Sequence, residues 1–333
     1  MGPGSLPRVS IVIPVYGGAK TVGRLVDELF ATLAKTADLE VVLVNDCSPD
    51  DSERVCLEIA RRHGARVLYA AMARNFGEHN AVLQGLRLAT GDFVVTMDDD
   101  GQNPPSEVAK LLAEARRGID AVFGDYQEKR HDWFRNLGSA FNDRVANWLI
   151  GKPKDLYLSS FRCLTRFVVD EIVKYTGPYP YIDGLVLRTT ASISSVPVIH
   201  DRRLAGRSRY TLAKLVGLWL NMSTNFSVAP LRIAVVTGFL MASLGGLMAI
   251  EVVVEKWLHP ATSVGWSSLM TAITVFSGVQ LILIGTIGEY VGRLLLSVNA
   301  TPQAVVRRVV RGGEGAAPEL AIEDPPRPQT GTP

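Results

Sequence analysis

Three adjacent acids, Asp98, Asp99 and Asp100, follow the apolar stretch Phe93-Val94-Val95 and lead into Gly101-Gln102-Asn103-Pro104-Pro105. Three carboxylates this close repel one another unless something positive sits among them, and a divalent cation is the usual answer. Alternate residues of a strand point the same way, so the spacing predicts that Asp98 and Asp100 face one site while Asp99 faces away. Hard oxygen ligands of this kind suit Mg2+ or Mn2+, which hold phosphates. The competing reading is an acidic turn at a strand end. Cys47, Cys56 and Cys163 have neither paired nor metal-type spacing. They read as small buried residues in a reducing compartment, without structural zinc. A net charge of +2 over 333 residues leaves no footprint for nucleic acid.

The elements that must hold these acids alternate between strand and helix. Val9 to Pro14 is a continuous apolar run, as expected of a buried parallel strand. Val22, Leu25, Val26, Leu29 and Leu33 recur at helical spacing. Leu39 to Val44, Val67 to Ala71, Phe93 to Met97 and Ala121 to Phe123 read as further strands. Helices are expected from near Asp51, where Ser48 or Asp50 can cap, over Glu78 to Ala89, and from Pro104-Pro105 onward. This pattern predicts an α/β layer with a mostly parallel sheet, whose ligands collect at the carboxyl ends of strands. Tyr16, Asp46 and the segment from Asp98 to Gln102 all fall at such ends. No G-x-G-x-x-G follows the first strand and no P-loop string occurs, which disfavours a dinucleotide oxidoreductase and a P-loop ATPase.

Hydrophobicity is concentrated late in the chain. Ile233 to Ile250 and Trp266 to Gly288 carry no charge, and each is long enough for a bilayer core of about 30 Å. A short polar turn with Glu251, Glu255, Lys256, His259 and Pro260 separates them, so they read as a transmembrane hairpin. Gly238, Ala242 and Gly246, at spacings of four, and Gly278 with Gly285 are the small residues expected to let the helices approach. Arg202, Arg203, Arg207, Arg209, Lys214 and Arg232 precede the hairpin, and Arg293, Arg307, Arg308 and Arg311 follow it. Basic flanks stay inside, which puts both termini on the cytoplasmic side. Leu212, Leu215, Trp219, Met222 and Phe226 form one apolar helical face, read as a helix lying in the membrane interface. The expected organisation is an N-terminal cloning scar over 1–8 with no signal peptide, a catalytic domain over 9–210, an interfacial helix over 211–230, a hairpin over 231–299 and a tail over 300–333, disordered from 312.

Four strings, VSIVIPVYGG, VVLVNDCSPDDS, ARNFGEHNAVLQGLRLATGDFVVTMDDDGQNPP and GRSRYTLAKL, stand ahead of the two apolar segments. Together they resemble the family-2 glycosyltransferases with a GT-A fold. Within these, the chain is similar to the polyprenyl-phosphate glycosyltransferases: dolichyl-phosphate mannose synthase in one branch and, nearer, the bacterial undecaprenyl-phosphate glucosyl and aminoarabinose transferases. The resemblance covers about Val9 to Asn299. It implies a metal held by Asp98, Asp100 and Gln102 against the donor diphosphate, with Pro14, Tyr16 and Asp46 lining the nucleobase and ribose. Arg162 would face the phosphates. Arg207, Ser208, Arg209 and Tyr210 would receive the lipid phosphate, with arginine at 209 where the family has lysine; arginine can engage two phosphate oxygens at once. The family's acid before the arginine is replaced here by Ser159-Ser160; Asp183 is a candidate substitute base, with helix capping the competing reading.

The resemblance implies transfer of one sugar from a nucleotide-sugar, UDP-linked in the nearer relatives, to a polyprenyl phosphate such as undecaprenyl phosphate, at the cytoplasmic face of a bacterial inner membrane. Its partners would be the donor, the lipid and the bilayer, with a homo-oligomer left open. A processive polysaccharide synthase of the same broad family would carry Q-x-x-R-W on a membrane-proximal helix; Gln127-Glu128-Lys129-Arg130-His131 lacks the tryptophan and lies in the soluble half. An inactive membrane scaffold is the other alternative, disfavoured by the full acidic set. The sequence does not decode which sugar is carried.

Overall fold

The computed structural model describes residues 6–126, 156–177, 179–201, 229–259, 265–299 and 302–313. The Arg207-Ser208-Arg209-Tyr210 string, the expected interfacial helix up to residue 228 and the chain beyond 313 lie outside these residues. The chain divides into two compact units, one of residues 1–209 with 302–333 and one of residues 210–301.

The first unit is an eight-stranded sheet with helices packed on it. In chain order it contains β1 (Arg8–Val15), α1 (Val22–Leu33), β2 (Asp38–Asn45), α2 (Ser52–His63), β3 (Val67–Met72), α3 (Glu78–Leu88), β4 (Phe93–Thr96), α4 (Pro105–Ala115) and β5 (Ala121–Tyr126). Then come β6 (Arg162–Thr165), α5 (Arg166–Ile172), α6 (Ile182–Thr189) and β7 (Ile193–Val198), and, beyond the second unit, β8 (Val306–Arg311). The strand order is β7-β5-β6-β4-β1-β2-β3-β8. β1 pairs in parallel with β2 and β4, with Val12 opposite Val42 on one side and Thr96 on the other. β2–β3 and β5–β7 are also parallel, whereas β6 runs antiparallel to both β4 and β5. The sheet is thus mixed and mostly parallel.

The elements form where hydrophobic patterning demands them. Val9, Ile11, Val12, Ile13 and Val15 of β1 are all buried because helices cover both faces of the sheet there. Val22, Leu25, Val26, Leu29, Phe30 and Leu33 make one buried stripe along α1. Pro104 ends in extended backbone and Pro105 opens α4, where a missing N–H costs nothing.

Residues 300–333 are not wholly a tail. Val306–Arg311 forms β8, antiparallel to β3 at the sheet edge. Its side chains fasten it there: Val309 is buried, while Arg308 donates to Glu53 at 2.7 Å and Arg311 lies 3.8 Å from Glu40. The basic residues read as a membrane flank therefore also fasten a strand.

The second unit holds two long helices, α7 (Ala229–Leu258) and α8 (Trp266–Val298). Leu231–Met248 and Val275–Val298 have mean hydropathies of 1.7 and 1.6, and both helices are long and apolar enough to cross a membrane. Phe239, Trp257, Leu281 and Ile282 are exposed along them. The glycine seam differs from the one expected. A Cβ on Gly238 would lie 3.5 Å from Leu283, and one on Gly245 would lie 3.3 Å from Phe276. A Cβ on Gly246, Gly278 or Gly285 would meet nothing within 4 Å.

The cysteines give a direct check on the first unit. Cys56 and Cys163 are buried, and burial pushes both thiols up to about 12; Cys47 is exposed. The thiolate is the reactive form. In the folded protein near pH 8, a maleimide should label Cys47 quickly and leave the other two unlabelled until denaturant is added. Rapid labelling of all three, read by peptide mass, would contradict this packing.

Candidate active site

The carboxyl ends of β1, β2 and β4 converge, and the loops leaving them are tied together by hydrogen bonds. Tyr16 follows β1; its side chain is exposed and its N–H donates to Asp99 Oδ2 at 3.1 Å. Gly17 N–H donates to Ser48 Oγ at 3.2 Å, and Ala19 N–H to Asp50 Oδ2 at 3.2 Å. Asp50 also accepts from the hydroxyl and N–H of Ser52 at the start of α2. Burial alone would raise its carboxyl, but these donors hold it below the usual value. A Cβ on Gly18 would overlap the Asp99 carboxylate, so a larger residue here would push Asp99 away from the β1 loop.

Asp46 is buried, and its two oxygens accept the N–H groups of Phe76 and Gly77 at 2.7 and 2.8 Å. Burial pushes its carboxyl up, with the two backbone donors opposing. Asp46 therefore braces the loop that opens α3, and Pro14, within β1, is placed beside it opposite Val44.

The acids themselves lie beyond the end of β4, on a turn. Strand alternation thus does not apply to them, contrary to the expectation from sequence. Each is held differently. Asp98 accepts from Ser160 Oγ at 2.7 Å, toward β6. Asp99 reaches the other way, to the β1 loop. Asp100 accepts the Gln102 N–H at 3.1 Å, a local turn of the kind short acidic side chains make. Burial and then the flanking charges of Asp98 and Asp100 push the Asp99 carboxyl up to about 7, against the Tyr16 N–H. Asp99 went unnoticed as a site residue because alternation pointed it away.

Gln102, a metal ligand by the resemblance, follows the acids directly, and its side-chain amide is tied to the end of β7: Nε2 is 3.1 Å from His200 Nε2 and donates to the Asp201 carbonyl at 3.2 Å.

Arg162 was expected to face phosphates. Its guanidinium is instead almost wholly buried, paired with Asp183 of α6, and its Nε donates to Thr96 Oγ1 at 3.0 Å. Antiparallel register sets Arg162 opposite Thr96 on one side and Phe123 on the other, so the side chain is enclosed by the sheet. Thr96 Oγ1 donates in turn to the Ser160 carbonyl at 2.6 Å, which links this pair to the segment holding Asp98. Asp183, the substitute base, is committed to Arg162. The edge of Tyr181 meets the His79 ring at 5.2 Å; burial lowers His79 to about 4, leaving it neutral at pH 7. Glu78 was also missed. Although its surface is exposed, the protein around its carboxyl and then the charge of Asp98 push it up to about 7, with Arg162 opposing. Its sequence signal was only an acid at the first turn of a helix, which helix dipoles also favour.

Among the described residues no group of three His, Cys, Asp or Glu side chains is arranged to hold a metal. Mg2+ needs no such cage: one or two carboxylates plus substrate phosphates suffice. Asp98 and Asp100, flanking Asp99 on one short segment, fit that requirement.

The buried pair gives a stability test. Arg162→Ala or Asp183→Ala alone leaves an uncompensated buried charge and should cost about 3–5 kcal/mol, whereas Arg162→Met with Asp183→Leu should recover most of it. Denaturant unfolding would measure this; a double variant as unstable as the summed single variants would show that the two do not act as a pair.

Comparison with known proteins bears on this geometry. A family model described as Glycosyl transferase family 2 matches residues 10–172, and one described as GtrB C-terminal hairpin matches residues 229–294. The undecaprenyl-phosphate 4-deoxy-4-formamido-L-arabinose transferase of Enterobacter sp. (strain 638) is 31% identical over 315 residues, covering 93% of this chain and 95% of that protein. That of Klebsiella pneumoniae subsp. pneumoniae is 32% identical over 320 residues, covering 94% and 96%. A crystal structure of glucosyl-3-phosphoglycerate synthase from Mycobacterium tuberculosis in complex with Mn2+, UDP and phosphoglyceric acid aligns with a TM-score of 0.50 at 18% identity, over 66% of this chain and 76% of that one, a likeness of fold. With relatives this similar over nearly its whole length, the chain belongs to glycosyl transferase family 2 and carries that group's C-terminal hairpin.

Proposed function

We propose that the protein transfers a single sugar from a nucleotide-sugar, UDP-linked as the first choice, to undecaprenyl phosphate at the cytoplasmic face of the cell membrane. The observation that carries this reading is the acid turn fixed between the β1 and β6 loops in a chain that also has two apolar spans. The relatives are named as undecaprenyl-phosphate sugar transferases, which supplies the acceptor class. Pro14, Tyr16 and Asp46 border the nucleotide side. Asp98 and Asp100 would hold Mg2+ or Mn2+, which when bound would balance the charge of the departing nucleotide diphosphate.

The acceptor's nucleophile is a phosphate oxygen, largely ionised at pH 7 with a second pKa of about 6. A strong general base is unnecessary, which agrees with Ser159-Ser160 in place of an acid and with Asp183 being engaged by Arg162. The side chains' task is positioning, together with reducing the repulsion between two anionic substrates. Arg207 and Arg209 would serve the lipid phosphate. The oxygen attacks the anomeric carbon opposite the nucleotide, the new bond forming as the bond to the diphosphate breaks. The anomer is inverted, and the lipid retains one phosphate. Among the described residues two helices are long and apolar enough to span a membrane, too few for a polymer channel, which disfavours a processive synthase.

β8 also bears on topology. It pairs with β3 after the chain has passed through both apolar helices, so an even number of crossings keeps the sheet on one side. Reporters fused at the two ends of the chain should both read cytoplasmic, and a tag beside His259 should be reached from outside. Opposite sides for the two ends would exclude the hairpin.

Activity is tested with a panel of nucleotide-sugars, including UDP-glucose and the UDP-linked 4-deoxy-4-formamido-L-arabinose, against undecaprenyl phosphate. One donor should give a lipid monophosphate carrying one sugar, β-linked from an α-linked donor, with activity lost in chelator. Asp98→Asn and Asp100→Asn should each lower turnover by about two orders of magnitude or more. Replacing Arg207 and Arg209 with alanine should weaken lipid use by about 1.5–3 kcal/mol per contact and leave nucleotide binding intact. A pyrophosphate link, a retained anomer or an elongating chain, seen by mass spectrometry and anomeric coupling, would overturn the reading.

A further inference from the structure

The loop that leaves β1 gives its backbone N–H groups to side chains from two other loops. Tyr16 N–H donates to Asp99 Oδ2 at 3.1 Å, Gly17 N–H to Ser48 Oγ at 3.2 Å and Ala19 N–H to Asp50 Oδ2 at 3.2 Å. Ser48 and Asp50 belong to the segment after β2, which is itself fixed. Ser48 Oγ donates to the Val15 carbonyl at 3.3 Å, Ser48 N–H donates to Asn45 Oδ1 at 3.0 Å, and Asp46 N–H donates to the Val15 carbonyl at 3.0 Å. Asp99 is a partner of another kind. It is the middle acid of the turn after β4, between the two residues that fit a cation. Its carboxylate packs directly over Gly18, in space that a Cβ at residue 18 would occupy. The stretch from Tyr16 to Gly18 therefore leans on the acid turn through the Asp99 side chain.

We propose that Asp99 is a positioning residue that couples the cation to the nucleoside: a divalent cation on the acid turn fixes the loop carrying Tyr16, and so tightens binding of the uridine moiety without touching it. This rests on the transferase reading above, in which Asp98 and Asp100 hold the cation and Tyr16 borders the nucleotide. The route is short. A cation draws the Asp98 and Asp100 carboxylates onto itself and fixes the backbone between them, which is the backbone of Asp99. The Asp99 carboxylate then holds the Tyr16 N–H in one place. A loop already held gives up less conformational freedom when its ligand arrives, and the linkage runs equally in both directions. Asp99→Asn keeps an oxygen to accept the Tyr16 N–H, whereas Asp99→Ala keeps none. Gly18→Ala leaves the carboxylate in the chain but displaces it from the loop. These variants separate the strut from the charge.

The experiment uses the full-length enzyme in lipid nanodiscs and uridine as the probe, because a nucleoside has no phosphate through which to touch the cation. Two quantities are read with saturating Mg2+ and again in chelator: uridine affinity by calorimetry, and amide exchange over 16–19 with no nucleotide present. In wild type, Mg2+ should tighten uridine by about fivefold and slow exchange at 16–19 by a similar factor. Asp99→Asn should keep both effects. Asp99→Ala and Gly18→Ala should lose both, binding uridine equally with and without Mg2+. UDP with Mg2+ should still bind to every variant, since the diphosphate meets the cation directly, and this binding reports an assembled site. If Asp99→Ala does not fold by that measure, Gly18→Ala carries the comparison. Uridine affinity and exchange that ignore Mg2+ in wild type, or a full Mg2+ effect in Asp99→Ala, would overturn the proposal. Loss of the effect in Asp99→Asn would overturn it too, by assigning the coupling to charge. A wild-type enzyme that does not bind UDP with Mg2+ would end the transferase reading and the coupling together, whereas UDP and Mg2+ binding beside Mg2+-independent uridine binding would end the coupling alone.

Discussion

The repulsion among three consecutive carboxylates is the constraint around which the first unit is arranged. In water such charges would spread apart; here they are fixed on a turn, and each is drawn in a different direction by a different donor. Ser160 takes Asp98, the Tyr16 N–H takes Asp99, and the Gln102 N–H takes Asp100. These donors sit on the β6 side of β4, on the β1 loop and on the turn itself. The sheet order makes this possible, because β4 lies between β6 and β1. Three carboxylates on one short segment concentrate negative charge there, the electrostatic condition that favours a cation with phosphates.

The other buried charges are subordinate to that arrangement. Arg162 carries the nearest enclosed positive charge, but it is neutralised by Asp183 and fixed by Thr96 rather than offered to the acids. A cation already paired contributes shape more than field. Through Thr96 and the Ser160 carbonyl, that shape is passed to the residue that holds Asp98. Asp46 behaves alike just beyond β2, its two oxygens taken by the backbone that opens α3. Several groups that look chemically poised in the sequence are therefore framework in the fold.

Much of the first unit was legible in the sequence because its signals are local. β1 to β4 and α1 to α4 announce themselves through apolar runs and helical spacing, and their bounds shift by only a residue or two. Pro104-Pro105 marks the start of α4 by the same local chemistry. The strands that were missed, β6, β7 and β8, depend on distant partners. Arg162-Cys163-Leu164-Thr165 has no strand signature until β4 and β5 flank it, and β7 has only Ile193, Val196 and Val198 as apolar residues. The site divides in the same way. Residue types revealed the acid turn, but which way Gln102 and Arg162 point is decided by a turn after Gly101 and by antiparallel register, and neither is encoded in a short motif.

β8 gives the hairpin an unusual standing in the chain. Arg308 and its partner Glu53 are 255 residues apart in sequence, and Arg311 is 246 from Ala65, whose carbonyl it reaches. The apolar helices are thus an insertion within the sheet's sequence, not an appendage to a finished domain. During synthesis β3 must wait, with one side unpaired, until both apolar helices and Val306–Arg311 beyond them have been made. Non-local pairing of this kind is slow, and an open strand edge invites association with other chains. Completion of the sheet thus depends on a strand that follows both apolar helices, and a chain that stops short of Val306 leaves the β3 edge exposed.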